Sequence, residues 1–218
     1  MRIMIDSAER EAIQQALDTG FVGGVTTNPT LLRRAGVRAG EVEALARQAL
    51  AWGAREIHLQ VYAPDAAGML ADARELAAID PARVVVKIPA TPAGFQAAGP
   101  LARAGVPVTL TAVYTLRQAL LAQSVGARYV AIYLGRMRDA GIGALDLTRQ
   151  MQALLAAQGG DVTILAASIR DADEIVALGG IGVGAATLPA SLIARLAESD
   201  ATAAAAAAFG EDAAAIRG

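Results

Sequence analysis

Eight short segments rich in apolar and β-branched residues recur along this chain of 218 residues, and stretches of strong helix formers with helical periodicity lie between them. Several of the segments are continuously apolar, which is typical of strands covered on both faces in a parallel sheet. The predicted strands are Arg2–Asp6, Gly24–Thr27, Glu56–Tyr62, Arg83–Ile88, Pro107–Val113, Arg128–Leu134, Val162–Ser168 and Gly182–Leu188. The clearest predicted helices are Glu9–Leu17, Val42–Trp52, Ala66–Ala78, Leu116–Ser124 and Leu145–Ala157.

Strands that alternate with helices indicate repeated βα units. Eight such units in a chain of this length predict an α/β fold, the (β/α)8 TIM barrel, as one domain over residues 1–218. An open doubly wound sheet is the alternative, but the glycine-rich turn of dinucleotide-binding sheets does not follow the first strand. One extra C-terminal helix, about Ala201–Phe209, is expected to pack across a barrel end or onto a neighbouring subunit.

Composition narrows the function classes. The chain has no cysteine, which excludes disulfides, thiol catalysis and thiolate metal sites. Its net charge is −2 with no basic stripe, so nucleic acid and membrane are not expected partners. Neither a signal peptide nor a membrane-spanning run is predicted, and a soluble cytoplasmic protein is expected. The single histidine, His58, lies mid-strand with no carboxylate or second histidine expected nearby; we interpret it as structural and predict no metal site.

Lys87 is the most informative residue, because it is the only lysine among 19 basic residues. It lies in the apolar run Val84–Pro89, where a charged ammonium would be costly. Desolvation should lower its pKa, as a nucleophilic amine requires, and arginine could not substitute because it stays protonated. The alternative is a lysine that extends to solvent or a buried ion-pair partner.

Polar side chains end most of the predicted strands, and active sites in this fold lie at those carboxyl ends. Asp6 ends the first strand, where it could cap the next helix or exchange a proton with the lysine. The segment Thr26–Thr30 could form a turn and a cap, or its hydroxyl and amide groups could bind a polyol. The other candidates are Gln60, Thr111 and Tyr133, which could share one ordered water, and Arg136, Ser168 and Arg170, which suit a phosphate.

Taken together, these residues resemble the transaldolase family, within it the small fructose-6-phosphate aldolase and transaldolase-like branch. The similar segments cover most of the chain: MIDSAEREAI, GVTTNPTLL, LQVYAPDAAGMLADAREL, VVVKIPATPAGFQA, AGVPVTLTAVYTLRQALLAQSVGARYVAIYLGR and ILAASIRDADEI. The segments VVVKIP and GVTTNPT are the most specific of these.

The resemblance implies a barrel enzyme without metal or cofactor, in which Lys87 forms a Schiff base and Asp6 is the acid near it. Thr26 and Asn28 would contact a dihydroxyacetone unit. The catalytic water would lie between Gln60, Thr111 and Tyr133, with Tyr133 transferring protons, and the phosphate of the sugar substrate would lie between Arg136, Ser168 and Arg170. The family also suggests ring-like homo-oligomers, a pentamer or decamer, in which the C-terminal helix reaches a neighbour.

Two activities fit the resemblance: a class I aldolase that cleaves fructose 6-phosphate, and a transaldolase that passes dihydroxyacetone between sugar phosphates. Gln60 and Tyr133 resemble the aldolase subgroup, since transaldolases carry glutamate and phenylalanine there. The chain departs from the family at Ser7, at Ile132 and in its alanine-rich C-terminal region. A non-catalytic phosphosugar-binding barrel is a further alternative, which would not need the lone lysine.

Overall fold

The computed structural model describes residues 1–217 and contains a closed barrel of eight parallel strands in sequential order. β1 pairs with both β2 and β8, which closes the barrel. The predicted (β/α)8 barrel is confirmed. The strands are β1 Arg2–Asp6, β2 Val22–Thr26, β3 Glu56–Gln60, β4 Val84–Pro89, β5 Val108–Val113, β6 Tyr129–Tyr133, β7 Thr163–Ala167 and β8 Ala185–Leu188.

Helices surround the barrel and connect successive strands. They are α1 Arg10–Asp18, α2 Pro29–Arg34, α3 Val42–Ala51, α4 Ala66–Ile79, α5 Pro92–Arg103, α6 Leu116–Ser124, α7 Leu134–Asp139, α8 Ala144–Ala157, α9 Asp173–Ile181, α10 Ala190–Ile193 and α11 Asp200–Arg217, with a one-turn 3-10 helix at Ala39–Glu41. The predicted extra helix is present, and it extends beyond Phe209 to Arg217. Within residues 1–217, no helix is long and apolar enough to cross a membrane.

Successive side chains of each strand point alternately to the helices and to the barrel interior. One large cluster holds the outward-facing residues, such as Ile5, Val86 and Ile132, together with the helices. A second, smaller cluster fills the barrel interior, and its members are Met4, Val85, Tyr129, Ala131, Leu165 and Ala185. Residues two positions further along a strand face the same interior, one layer closer to the carboxyl ends. Asp6, Lys87 and Tyr133 therefore share the top layer.

The opposite, amino-terminal end of the interior holds a buried carboxylate. Glu56 accepts a hydrogen bond from the Tyr129 hydroxyl at 2.5 Å and pairs with Arg128 at 3.3 Å and Arg2 at 3.5 Å. Burial would raise the pKa of the Glu56 carboxyl, but His58, the Tyr129 hydrogen bond and the charge of Arg128 outweigh it and lower the pKa to about 2. This end is a paired network, as expected where a barrel serves stability.

The expectation that His58 has no carboxylate nearby is wrong. Its Nε2 lies 3.9 Å from Oε1 of Glu56, because residues two apart on a strand share one face. Its Nδ1 lies 2.9 Å from the Thr109 hydroxyl. Burial lowers the pKa of the His58 imidazole, so the ring is neutral at physiological pH. These contacts support the interpretation of a structural histidine.

Gly94, near the start of α5, lies against the end of the strand that carries Lys87. A Cβ at this position would lie 1.9 Å from the carbonyl oxygen of Pro89, a backbone atom that cannot move aside. We expect Gly94→Ala to lower the free energy of unfolding by at least about 2 kcal/mol, measured by urea denaturation.

Gly180 in α9 offers a matched control, because nothing lies within 4 Å of the Cβ it would gain. Gly180→Ala should be neutral or raise the unfolding free energy by up to about 1 kcal/mol, through helix propensity alone. Equal effects of the two substitutions would contradict the close approach at Pro89.

Candidate active site

A cavity of about 190 Å³ opens at the carboxyl ends of the strands. Seven of the ten predicted site residues line it: Asp6, Thr26, Asn28, Lys87, Tyr133, Arg136 and Ser168. Its remaining lining residues are Thr30, Leu31, Arg34, Ala131, Leu165, Ala167 and Thr187. Predicted site residues as distant in sequence as Asp6 and Ser168 thus share one cavity. The three predicted residues outside this lining are Gln60, Thr111 and Arg170.

Lys87 lies in the wall of the cavity with only 4% of its surface exposed. Its Nζ donates a hydrogen bond to the carbonyl oxygen of Thr27 at 2.7 Å. Within residues 1–217 no carboxylate lies within salt-bridge distance of this nitrogen. Burial lowers the pKa of the Lys87 amine; the charge of Asp6 opposes the shift and the charge of Arg136 adds to it. The arrangement favours a neutral amine, the form that attacks a carbonyl.

Asp6 is oriented by two buried threonines on the neighbouring strands. The Thr26 hydroxyl donates to Oδ1 of Asp6 at 2.6 Å, and the Thr26 and Thr187 hydroxyl oxygens are 2.8 Å apart. Thr26 and Thr187 are 0% and 2% exposed. Asp6 does not cap α1, which begins after Glu9. Its carboxylate is therefore available to the cavity, and the Thr26 hydroxyl is committed to holding it.

The segment Thr26–Asn28 serves the fold and the cavity together. The Thr27 carbonyl receives the Lys87 amine, while the Thr27 hydroxyl donates to the carbonyl of His58 at 3.1 Å. Asn28 caps α2, because its Oδ1 accepts a hydrogen bond from the Leu31 amide at 3.0 Å. The cap uses only the oxygen, and among residues 1–217 the Asn28 amide NH2 has no hydrogen-bond partner, so it can donate to a ligand.

Tyr133 and Thr111 form a hydroxyl pair, with their oxygens 2.6 Å apart. Burial raises the pKa of the Tyr133 phenol; the Thr111 hydrogen bond and Arg136 lower it, and Asp6 raises it further. The phenol is therefore protonated at physiological pH. Next to Thr111, Ala112 adopts a left-handed φ of 60° and the β5–β6 register shifts there, so the end of β5 is bulged.

Gln60 ends β3 as the direct strand partner of Lys87, so its side chain points to the same interior. In residues 1–217 it has no side-chain hydrogen bond. The structure thus brings Gln60, Thr111 and Tyr133 to one layer but joins only Thr111 and Tyr133 directly.

The three residues expected at a phosphate are not equivalent. Arg136 lies over the Tyr133 ring, 4.8 Å from its centroid, and Ser168 adopts a left-handed φ of 56° at the end of β7. Arg170 forms a bidentate pair with Asp139 at 2.8 and 2.5 Å and is outside the cavity lining. Arg136 and Ser168 therefore face the cavity, and Arg170 is directed to a carboxylate.

Two further polar residues line the cavity that the sequence interpretation did not single out, Arg34 and Thr187. Thr30, which also lines it, belongs to the segment Thr26–Thr30 considered for polyol binding. Thr187 could have been found as a polar side chain near the end of an otherwise apolar strand. Thr30 and Arg34 lie four residues apart on α2 and therefore on one helix face. In residues 1–217, no group of three or more histidine, cysteine, aspartate or glutamate side chains is placed to hold a metal ion.

Solved structures that superpose on this chain have low sequence identity, and they support its fold alone. A mandelate oxidase superposes with a TM-score of 0.62 at 15% identity, covering 90% of this chain and 67% of that one. A thiamine phosphate pyrophosphorylase from Pyrococcus furiosus superposes with a TM-score of 0.60 at 16% identity, covering 88% of this chain and 87% of that one.

Relatives found by sequence have a higher identity to this chain than these solved structures. A protein of Exiguobacterium sp. strain AT1b named probable transaldolase is 36% identical over 197 residues, covering 88% of each chain. Probable transaldolases of Heliobacterium modesticaldum and Desulfitobacterium hafniense are 36% and 37% identical over 196 residues, covering 90% of this chain and 89% and 90% of theirs. The family model described as transaldolase/fructose-6-phosphate aldolase matches residues 3–217. The chain therefore belongs to the transaldolase/fructose-6-phosphate aldolase family.

Proposed function

We propose that the protein is a class I aldolase that cleaves and forms fructose 6-phosphate, or a related ketose, through a Schiff base on Lys87. The observation that carries the proposal is one buried amine in the cavity wall, with a lowered pKa and a backbone carbonyl as its hydrogen-bond partner. A neutral amine there can condense with a ketone, whereas a salt-bridged ammonium could not.

In the proposed reaction, the Lys87 amine adds to the C2 carbonyl of the ketose to give a carbinolamine. Loss of water gives a protonated imine, which withdraws electrons from the neighbouring C3–C4 bond. Asp6, the carboxylate held by Thr26, removes the proton of the C4 hydroxyl. The C3–C4 bond then breaks, its electron pair forms the enamine on Lys87, and the aldehyde glyceraldehyde 3-phosphate leaves.

The fate of the enamine decides between two activities. In the aldolase, C3 of the enamine takes a proton, and the water lost earlier is returned when hydrolysis releases dihydroxyacetone. Because its phenol stays protonated, Tyr133 is suited to supply that proton through a water, with Thr111 holding its hydroxyl. Gln60, the strand partner of Lys87, is the third residue we assign to this water.

The second candidate is a transaldolase, in which a second aldose captures the enamine before a proton does. The names of the relatives from Exiguobacterium and Heliobacterium favour it. Turnover of fructose 6-phosphate alone supports the aldolase; turnover only when erythrose 4-phosphate is added supports the transaldolase. Binding of a sugar phosphate with neither activity would instead support the non-catalytic barrel.

For the phosphate we assign Arg136 and Ser168 as the main ligands, because both line the cavity. Thr26 and Asn28 face the dihydroxyacetone unit, with Asn28 donating and Thr26 acting mainly through Asp6. Arg170 can reach the phosphate only by leaving Asp139. Small sugar phosphates are therefore the proposed substrates, and we place the reaction in the cytoplasm.

Lys87→Met provides the main test. Removing a buried amine should leave the free energy of unfolding equal or higher, while lowering fructose 6-phosphate cleavage by at least about a thousandfold. In the unsubstituted protein, borohydride added with dihydroxyacetone should leave one stable adduct on Lys87, detected by mass spectrometry. Since only the neutral amine reacts, the trapping rate should rise with pH and level off at a lower pH than for an ordinary lysine. Full cleavage activity in Lys87→Met would refute the mechanism.

Tyr133→Phe tests the assignment of the enamine proton. Without the phenol, release of dihydroxyacetone in the absence of an acceptor should fall about tenfold or more, whereas transfer to erythrose 4-phosphate should fall less. Tyr114→Phe is the matched control, because Tyr114 packs edge-on against Tyr133 with ring centroids 6.1 Å apart. An unchanged ratio of release to transfer in Tyr133→Phe would remove Tyr133 from this role.

A homo-oligomer, as a pentameric or decameric ring, remains our proposal for the assembly. The C-terminal helix α11 has no buried residue, and its Phe209 and Ile216 are 70% and 85% exposed, which supports a subunit contact there. Phe209→Glu combined with Ile216→Glu should lower the sedimentation coefficient in analytical ultracentrifugation. A monomeric unsubstituted protein would contradict the proposal.

A further inference from the structure

Asp6, Thr26 and Thr187 form a row of three hydrogen-bonded side chains on β1, β2 and β8. These strands are neighbours in the closed barrel, so the row runs across the seam where the last strand meets the first. In residues 1–217, Thr187 has no other side-chain hydrogen-bond partner than Thr26. The row therefore ends at Thr187.

The direction of each hydrogen bond follows from counting hydrogens. An ionised carboxylate only accepts, and each threonine hydroxyl has a single hydrogen. Thr26 therefore gives its hydrogen to Asp6, and the 2.8 Å contact between the threonines requires Thr187 to donate to Thr26.

Protonation of Asp6 allows the opposite arrangement. Both hydroxyls can rotate, so that Asp6 donates to Thr26 and Thr26 donates to Thr187. The hydrogens of Asp6 and Thr26 are then both paired within the row, and the Thr187 hydrogen turns towards the cavity that Thr187 lines. This matters because an unpaired buried donor is costly. Asp6 must gain and lose a proton in each turnover of the proposed reaction, and hydroxyls that can reverse their hydrogen bonds support both of its states.

We propose that Thr187 is a positioning residue that acts on Asp6 through Thr26, by accepting the Thr26 hydrogen whenever Asp6 carries the proton. The inference rests on the proposed role of Asp6 in C3–C4 cleavage. Neither the family match nor the sequence motifs single out Thr187, which does not need to contact the reacting atoms.

Thr187→Val removes the hydroxyl and keeps the shape of the side chain. When a protonated Asp6 donates to Thr26, the Thr26 hydrogen then has no acceptor in the row, so the step in which Asp6 takes up the C4 hydroxyl proton is impaired. We expect kcat for fructose 6-phosphate cleavage to fall about three- to tenfold with KM within about twofold. Thr187→Ser should restore kcat to within about twofold, and borohydride trapping of dihydroxyacetone on Lys87 should stay complete.

Repeating Thr187→Val in an Asp6→Asn variant separates an effect on the proton of Asp6 from an effect on side-chain packing. Asparagine has no proton to exchange, so Thr187→Val should cause no further loss of the residual rate there. Thr148→Val is the control for losing a buried hydroxyl, because within residues 1–217 the Thr148 hydroxyl bonds only the Ala144 carbonyl on α8, at 2.7 Å. It should affect unfolding but not kcat. Thr187→Ala replaces the valine variant if that variant does not fold.

Three results would overturn the inference: a change in KM with kcat unchanged, an equal loss in the Asp6→Asn background, or no restoration by serine. The first would mean that Thr187 contacts the substrate directly. Absence of a borohydride adduct in the unsubstituted protein would instead refute the proposed function, and the two failures are therefore distinguishable.

Discussion

The burial of one amine is the constraint on which the arrangement of side chains at the carboxyl end of the barrel depends. Lys87 faces an interior whose next layer, Val85, is apolar, and its hydrogen-bond partner is a neutral backbone carbonyl. In a low dielectric, a carboxylate in direct contact would keep the amine charged. Asp6 instead points its charge at a threonine hydroxyl, so the acid and the amine share the cavity without forming an ion pair.

The two ends of the barrel differ in whether their charged side chains are paired. At the amino-terminal end, Glu56 is buried but held by Tyr129 and two arginines, so its interactions are satisfied within the protein. At the carboxyl end, Arg136 lines the cavity without a carboxylate partner in residues 1–217. Paired charges contribute to the fold, whereas unpaired groups around a cavity have bonding capacity left for a ligand. This asymmetry agrees with the division of roles known for barrels of this type.

The sequence was sufficient for the architecture and for the residues at strand ends, because a two-residue period and a repeated βα unit are local properties. Lys87 stood out because its chemistry conflicts with its apolar neighbours. The pairing of Arg170 with Asp139, and the row that ends at Thr187, depend on which distant segments meet and on the rotamers they adopt. Neither is encoded by local periodicity. The contact between Glu56 and His58 could have been predicted from the sequence, since residues two apart on a strand share a face.

The presence of a single lysine also has an analytical consequence. Apart from the α-amino group of Met1, reagents that react with amines have one side-chain target, and that target lies inside the cavity. The fraction of chains that gain one label on Lys87 would therefore measure the fraction of competent molecules in a preparation. For the same reason, coupling the protein to a support or a dye through its lysine would occupy the cavity and not the protein surface.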